Sequence, residues 1–224
     1  MTGVPHDASR GGTRVRQAQC LSMNHAGDTD DSDEGLMLAY AAGDASAFAR
    51  LYGRHERPVY RYFLRQALAP ASADDLLQDT WLAVVRAAER YSPAAKFTTW
   101  LYTIARNKLI DHWRVTRRDG WLDDAAANDP DDEPDFEERV AAPDSARPDV
   151  QAMSRQEAEA FIAAVEALPP VQRETFLLHV EGDATISEIA VITRVGVETA
   201  RSRLRYAMNK LRGAWAARNA VRAL

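Results

Sequence analysis

Hydrophobic residues recur every three to four positions along most of the chain after residue 33, which is the period of an amphipathic α-helix. One such stripe consists of Leu77, Trp81, Val84, Val85 and Ala88. No stretch alternates apolar and polar residues as a half-buried strand does. The pattern therefore predicts an all-α fold.

Proline and glycine divide this pattern into segments. Gly43 and Pro58 interrupt the first apolar stretch, which predicts two or three helices over 34–64. Ser72, three residues before Asp75, has the position of a helix N-cap. Further helices are predicted over 72–90, 98–117, from about 150 to the proline pair at 169–170, and over 170–180, 187–193 and 197–217.

The helices form two small domains, at 34–118 and 153–218. Residues 1–33 are mostly polar and show no apolar period, so they predict a disordered N-terminal tail. Residues 119–152 contain four prolines and few apolar residues, a composition that cannot bury a core. They predict a flexible linker between the two domains.

The net charge of -5 conceals an uneven distribution. Five basic residues and one acidic residue lie in 100–118, and six basic residues and no acidic residue lie in 201–218. Residues 119–149 carry twelve acidic residues and two basic ones. Affinity for nucleic acid comes largely from Lys and Arg that neutralise phosphates, so both basic helices are candidates for it. The acidic linker is either a solvated spacer or a segment that folds back on these helices.

Several functional classes have no support in the sequence. The single cysteine, Cys20, excludes an intramolecular disulfide, and the five histidines lack the spacing of metal ligands. No nucleophile paired with a base and no phosphate-binding loop is present, so we expect no catalytic residue, no cofactor and no enzymatic activity. Apolar runs fall far short of the ~20 residues of a membrane span, and no signal peptide is evident. The sequence predicts a cytoplasmic protein without membrane insertion.

The last two predicted helices have the arrangement of a helix-turn-helix. Residues 194–196 between them match the length of the turn in that motif. One face of the second helix is predicted to be buried and consists of Val197, Ala200, Leu204, Met208 and Leu211. The other faces carry guanidinium, hydroxyl and amide groups, which suit phosphates and base edges.

Three stretches of sequence carry a family resemblance. They are ADDLLQDTW at 73–81, KFTTWLYTIARN at 96–107 followed by DHWR at 111–114, and LPPVQRETF at 168–176 with the sequence onward to Arg212. Together they resemble the sigma-70 family of bacterial RNA polymerase sigma factors. Because the chain has no room for the family's central domain, it is most similar to the extracytoplasmic-function (ECF) group.

The resemblance implies a role for each stretch. The first is similar to the helix that contacts the β′ clamp helices of core RNA polymerase, with Asp75, Gln78 and Asp79 as the contacts. These three side chains share a helix face distinct from the buried stripe. The second is similar to the segment that melts the promoter and binds its minus-ten element, and we expect Trp100 and Trp113 within it to be mainly core.

The DNA contacts follow from the same resemblance. The downstream, melted element is expected to contact Lys96, Phe97, Arg106, Asn107, Arg114, Arg117 and Arg118. The third stretch is similar to the domain that binds the minus-thirty-five element, and the upstream element is expected to contact Thr199, Arg201, Ser202, Arg203, Arg205 and Tyr206. Two features depart from the family pattern: 182–186 is one residue longer than usual, and Arg194 stands where glycine is common.

The function implied is that of a non-enzymatic factor that binds core RNA polymerase, including its β flap, directs it to specific promoters and assists their opening. An anti-sigma factor is a further expected partner. A stand-alone helix-turn-helix regulator would explain 170–214 but neither of the first two stretches. A helical adaptor or anti-sigma-like protein would explain the amphipathic helices but not two separate basic helices.

Overall fold

The computed structural model describes residues 31–66, 68–116 and 155–222, and within these ranges every regular element is a helix. This confirms the predicted all-α fold. Residues 1–30 of the expected tail, the whole of the expected linker, and Arg117 and Arg118 lie outside the described residues.

The described helices follow the predicted segments closely. The first domain contains α1 (Asp33–Ala41), α2 (Ala45–Leu64), α3 (Pro70–Ala87) with a 3₁₀ turn (Ala88–Arg90), and α4 (Phe97–Thr116). The second domain contains α5 (Arg155–Glu166), α6 (Pro170–Glu181), α7 (Ile186–Thr193) and α8 (Val197–Arg222).

The turn between α1 and α2 shows why a helix ends there and another begins. Gly43 has a backbone φ of 104°, a value that residues with a Cβ atom rarely adopt. The carboxylate of Asp44 then accepts hydrogen bonds from the backbone N–H groups of Ser46 and Ala47. Those groups have no partner inside the helix, so Asp44 starts α2 as an N-cap.

Two local predictions are wrong. Pro58 lies inside α2 and does not break it. The helix runs through this position because both of its ends pack in the core, with Leu51 on one side of Pro58 and Phe63 on the other. Ser72 is not an N-cap, because α3 begins two residues earlier at Pro70, whose fixed φ suits the first helical position.

Each domain has a hydrophobic core formed by facing helices. In the first domain α2 packs against α1 and α3, and α3 packs against α4, around fully buried side chains such as Leu51, Tyr62 and Leu101. In the second, α6 and α7 pack against α8, around Leu178 and Ile189. The two domains also touch, since α4 packs on α7 and α2 on α6.

Candidate polymerase and nucleic-acid interfaces

An acidic and amide-bearing face of α3 points to solvent. Asp75, Gln78 and Asp79 are all exposed, as the sequence predicts, and Leu82 on the same face leaves 43% of its surface open. The opposite stripe is buried at Leu77, Trp81, Val84 and Ala88, as expected. Val85, which was assigned to that stripe, is instead exposed. The face thus combines charged groups with accessible apolar surface, a composition typical of a protein-binding site.

The start of α4 is fixed by a carboxylate from α1. The backbone N–H of Phe97 donates a hydrogen bond to Oε1 of Glu34, and the N–O distance is 2.6 Å. The Phe97 ring is fully buried between Tyr91 and Trp100, with ring centroids 6.2 and 5.9 Å away. Phe97, expected to contact DNA, is therefore a core residue, because its ring completes this aromatic cluster. The exposed positions beside it are 92–96.

Two acidic residues of α1, Asp33 and Glu34, lie near this aromatic cluster and influence the pKa of the Tyr91 phenol. Burial would raise the pKa of Asp33, but hydrogen bonds from His55 and Arg54 outweigh burial and hold the pKa below its usual value. Burial, aided by the nearby charges of Glu34 and Asp33, raises the pKa of the Tyr91 phenol to about 12. Tyr91 therefore stays neutral at any physiological pH and adds no charge beside the exposed loop.

The predicted downstream contacts differ in their surroundings. Asn107 and Arg114 are exposed on α4, and Arg114 pairs with Asp111 one turn away, at 3.3 Å. Lys96 is exposed but its Nζ lies 3.1 Å from a carboxylate oxygen of Glu188 in the second domain. Arg106 is buried. Trp100 and Trp113 belong to or pack against the core, as expected.

The helix-turn-helix is built from α7, the turn at 194–196 and α8. Thr185 accepts a hydrogen bond from the Glu188 backbone N–H, and the Glu188 carboxylate accepts one from the Thr185 N–H, which forms a capping box at the start of α7. Arg194 ends the helix in the left-handed conformation, with φ 60° and ψ 41°. This is the conformation that a glycine supplies at a helix C-terminus, so the turn keeps its geometry without glycine.

The buried face of α8 is rotated relative to the prediction. Its buried positions are Ala200, Arg203, Ala207 and Leu211, while Leu204 and Met208 are only partly buried and Val197 is exposed. This side of α8 carries small alanine side chains on both sides of Arg203, and α8 packs against α6 and α7. Arg203, expected to lie on the DNA-facing side, is therefore buried in this arrangement.

The other predicted upstream contacts remain accessible. Arg201 and Arg205 are exposed, and Thr199, Ser202 and Tyr206 are partly exposed. Arg201 pairs with Glu198 at 3.0 Å within the same helix. The guanidinium of Arg205 lies 5.3 Å from the centroid of the Tyr206 ring, which orders both side chains on one side of α8.

A buried ion pair joins the two domains. Nε of Arg106 in α4 donates to Oε1 of Glu174 in α6 at 2.9 Å, and the two side chains are 11% and 2% exposed. The Tyr62 hydroxyl of α2 donates to the same oxygen at 3.5 Å. Burial raises the pKa of Glu174, and the charges of Arg106 and Arg203 and the hydrogen bond from Arg106 oppose that rise.

A second set of contacts lies at the end of α6. Arg61 of α2 donates to the Glu181 carboxylate at 2.8 Å, and this hydrogen bond raises the pKa of the guanidinium. The Tyr102 hydroxyl donates to the Glu181 backbone carbonyl at 2.8 Å. At Gly182 a Cβ would stand 3.1 Å from the Tyr102 ring, so the absence of a side chain permits this close approach.

Several residues that join the domains were not predicted from the sequence, namely Arg61, Tyr62, Tyr102, Glu174, Glu181 and Glu188. The paired residues are 120 positions apart for Arg61 and Glu181 and 68 apart for Arg106 and Glu174. Charged residues at such separations give no periodic signal, and only the folded arrangement brings them together.

Within residues 31–66, 68–116 and 155–222, no helix is both long and apolar enough to cross a membrane. No group of three or more His, Cys, Asp or Glu side chains in that part of the chain is arranged to hold a metal ion.

Comparison with known proteins agrees with this architecture. The family model "Sigma-70 region 2" matches residues 51–119, and "Sigma-70, region 4" matches residues 158–211. The RNA polymerase sigma factor CarQ of Myxococcus xanthus is 32% identical over 176 residues, which cover 79% of this chain and 93% of CarQ. The ECF RNA polymerase sigma factor RpoE of Cereibacter sphaeroides is 31% identical over 192 residues, which cover 82% of this chain and 97% of RpoE.

Two solved structures share the fold. CnrH in complex with the cytosolic domain of CnrY superposes with a TM-score of 0.56 at 22% identity, covering 83% of this chain and 97% of that one. The sigma factor RpoE in complex with the anti-sigma factor NepR, from Bartonella quintana, gives a TM-score of 0.56 at 20% identity, covering 77% of this chain and 98% of that one.

Proposed function

This chain belongs to the ECF group of the sigma-70 family of RNA polymerase sigma factors, and from that premise we propose how its surfaces share the work of transcription initiation. A sigma factor of this family is not an enzyme. It binds core RNA polymerase, directs it to specific promoters and assists their opening. The polymerase supplies the catalysis, and this chain supplies binding free energy.

The exposed face of α3 binds core polymerase, through its β′ clamp helices. The observation that carries this assignment is that Asp75, Gln78 and Asp79 are exposed together beside the accessible side chain of Leu82, while the opposite side of α3 packs in the core. A helix whose inner face is held by the domain has a fixed backbone, so little backbone freedom remains to be lost on binding.

The two basic helices bind the promoter at different elements. The exposed loop at 92–96 and the α4 side chains Asn107 and Arg114 contact the melted downstream element, where cationic groups hold the strand. On α8, Arg201 and Arg205 contact the upstream element in the duplex. Arg117 and Arg118 extend the downstream surface on sequence grounds alone. Because this function is carried out with the polymerase on DNA, we expect the protein in the cytoplasm.

Two further partners follow from the family. The β flap of the polymerase is the expected partner of the second domain. An anti-sigma factor is the expected regulator, and the two similar solved structures support this because one is described as an anti-sigma complex and the other as a complex with a cytosolic domain.

The experiment that tests the α3 assignment is a pull-down of core polymerase with the full chain carrying Asp75→Ala, Gln78→Ala and Asp79→Ala. Because all three side chains are exposed, the variant should keep its helical content and melting temperature while losing core binding. The matched control is Glu89→Ala with Asp111→Ala, which removes two exposed acids from the same domain away from this face. Equal core affinity in the triple variant and the control would refute the assignment.

A further inference from the structure

Three cations of the first domain form a surface that the second domain covers. We call these three cations the basic face: Arg61 lies on α2, Lys96 in the loop before α4, and Arg106 on α4. Three carboxylates of the second domain pair with them: Glu181 with Arg61 at 2.7 Å, Glu188 with Lys96 at 3.1 Å, and Glu174 with Arg106 at 2.9 Å.

We propose that the basic face is a polyanion-binding surface that holds the second domain's carboxylates in the free protein and exchanges them for promoter DNA phosphates. The inference rests on the proposed function. It adds Arg61 to the DNA-binding residues and assigns Glu174, Glu181 and Glu188 as a strip of competitors for DNA.

The chemistry of the two occupants is the same. Guanidinium and ammonium groups bind carboxylate and phosphate oxygens through the same charge-assisted hydrogen bonds. Lys96 and Arg106 are also the cations that the sequence assigns to the opened strand. A guanidinium whose Nε is bonded to Glu174 in a buried contact does not offer that donor to DNA. The two occupants therefore exclude each other.

The geometry of the promoter gives an independent reason. The two elements that the domains are proposed to bind are named for positions about 25 base pairs apart, which is on the order of 85 Å of duplex. Domains that touch through α4 and α7 and through α2 and α6 cannot occupy both elements at once.

Two of the three ion pairs at the basic face are exposed, so DNA phosphates can replace their carboxylates. Arg61 and Lys96 leave 48% and 58% of their side chains in solvent, so their pairs with Glu181 and Glu188 are screened and individually weak. Incoming DNA reaches these two cations first, and the buried pair of Arg106 and Glu174 is uncovered only as the domains separate. A stepwise opening of this kind needs no single large displacement.

The test uses the full chain with Glu181→Gln and Glu188→Gln. Glutamine keeps the size of each side chain, and at position 188 it keeps the acceptor of the α7 capping box. The matched control is Glu89→Gln with Glu159→Gln, which removes the same charge from two exposed positions outside the basic face. In a Cys20→Ser background, spin labels at Ala49→Cys and Asn209→Cys report the separation of the domains. A labelled poly(dT) oligonucleotide reports binding to the basic face.

Domain separation should widen in the Glu181/Glu188 variant, and its affinity for poly(dT) should exceed that of the control by about two- to thirtyfold, the combined effect of two exposed pairs. Adding Arg61→Ala should abolish most of this gain. Unchanged separation, or wider separation without a gain over the control, overturns the proposal.

Transcription with core polymerase separates this proposal from the function on which it rests. The wild-type chain and both glutamine variants should support transcription from a promoter of this factor. Normal transcription combined with no gain in poly(dT) affinity overturns the shared surface alone. Failure of the wild-type chain to bind core polymerase overturns the proposed function.

Discussion

Replacing Arg106 by leucine removes the guanidinium that is bonded to the buried carboxylate of Glu174. The carboxylate would keep the long hydrogen bond from Tyr62 and the nearby charge of Arg203. Both Arg106 and Tyr62 belong to the first domain, so Glu174 regains water if the domains separate. We therefore expect the loss to appear in the docking of the two domains and not in the folding of either one.

The magnitude follows from the burial of the pair. Removing one partner of a buried ion pair costs about 3–5 kcal/mol, and the charge of Arg203 places this case near the lower end. A loss of about 3 kcal/mol shifts the docking equilibrium by roughly a hundredfold towards separated domains. Changing Glu174→Gln in the same chain should recover much of the loss, because no uncompensated charge then remains and the amide oxygen still accepts from Tyr62.

The pH dependence has a definite sign. Burial raises the pKa of Glu174 in the docked state, and without Arg106 it rises further. The docked state then binds more protons than the separated state, so docking weakens as the pH rises above the ordinary glutamate pKa of about 4.3 and stays weak above the raised pKa. The Arg106→Leu chain should therefore dock near pH 4.5 and open at pH 8.

The assay is the distance between spin labels at Ala49→Cys and Asn209→Cys, measured at both pH values, with circular dichroism to show that the helices persist. The Glu174→Gln variants serve as the control, because they lack the titrating group and should show no pH dependence from it. A label distance in Arg106→Leu that does not change with pH, or losses that add without coupling in the double variant, would refute the reasoning.

Two other predictions concern single backbone positions. Arg194→Gly should raise the melting temperature of the second domain, since it relieves the left-handed conformation at a net gain of about 0.5–1 kcal/mol; an unchanged or lower melting temperature would contradict this. Gly182→Ala should weaken docking by about 1–3 kcal/mol, because its Cβ would stand 3.1 Å from the Tyr102 ring of the first domain, whereas Gly213→Ala, in open space, should leave the label distance unchanged. The same Cβ would meet the Leu178 carbonyl oxygen of its own domain at 2.7 Å, so the second domain should lose stability as well.

Hydrophobic periodicity predicted most of the helical framework, and the reason is local. A helix that packs in a core repeats apolar residues at its own period, so α4, α6 and α7 could be bounded to within one residue and α3 to within three. The exposed face of α3 followed from the same geometry, because Asp75 and Asp79 lie one turn apart and away from Trp81. These predictions needed no knowledge of the other domain.

Other expectations depend on tertiary contacts. Arg106, Arg203 and Phe97 were expected on exposed surfaces, yet all three are buried in this arrangement. Arg106 pairs with Glu174, which lies 68 positions away in the other domain, and no local pattern marks such a charged pair. Pro58 was misjudged for a similar reason, since tertiary packing on both sides overrides a local helix breaker.

The two departures from the family pattern acquire different meanings in the structure. Arg194 differs in residue type from the usual glycine but keeps the same backbone conformation, because it adopts the left-handed φ and ψ that glycine would supply. The segment at 182–186, which the resemblance implies to be one residue longer than usual, takes part in contacts of its own. Asp183 has a φ of 49°, the Ala184 N–H folds back onto the Leu178 carbonyl, and Gly182 meets the Tyr102 ring of the first domain.

The flanking positions lead to the same surface. Glu181, immediately before this segment, binds Arg61, and Glu188, just after it, binds Lys96. The two exposed ion pairs therefore lie at the two ends of the segment 182–186. The segment therefore sets the spacing between two carboxylates that face two cations of the other domain. Its contacts belong to the docking of the domains, and the helix-turn-helix that follows it keeps its turn.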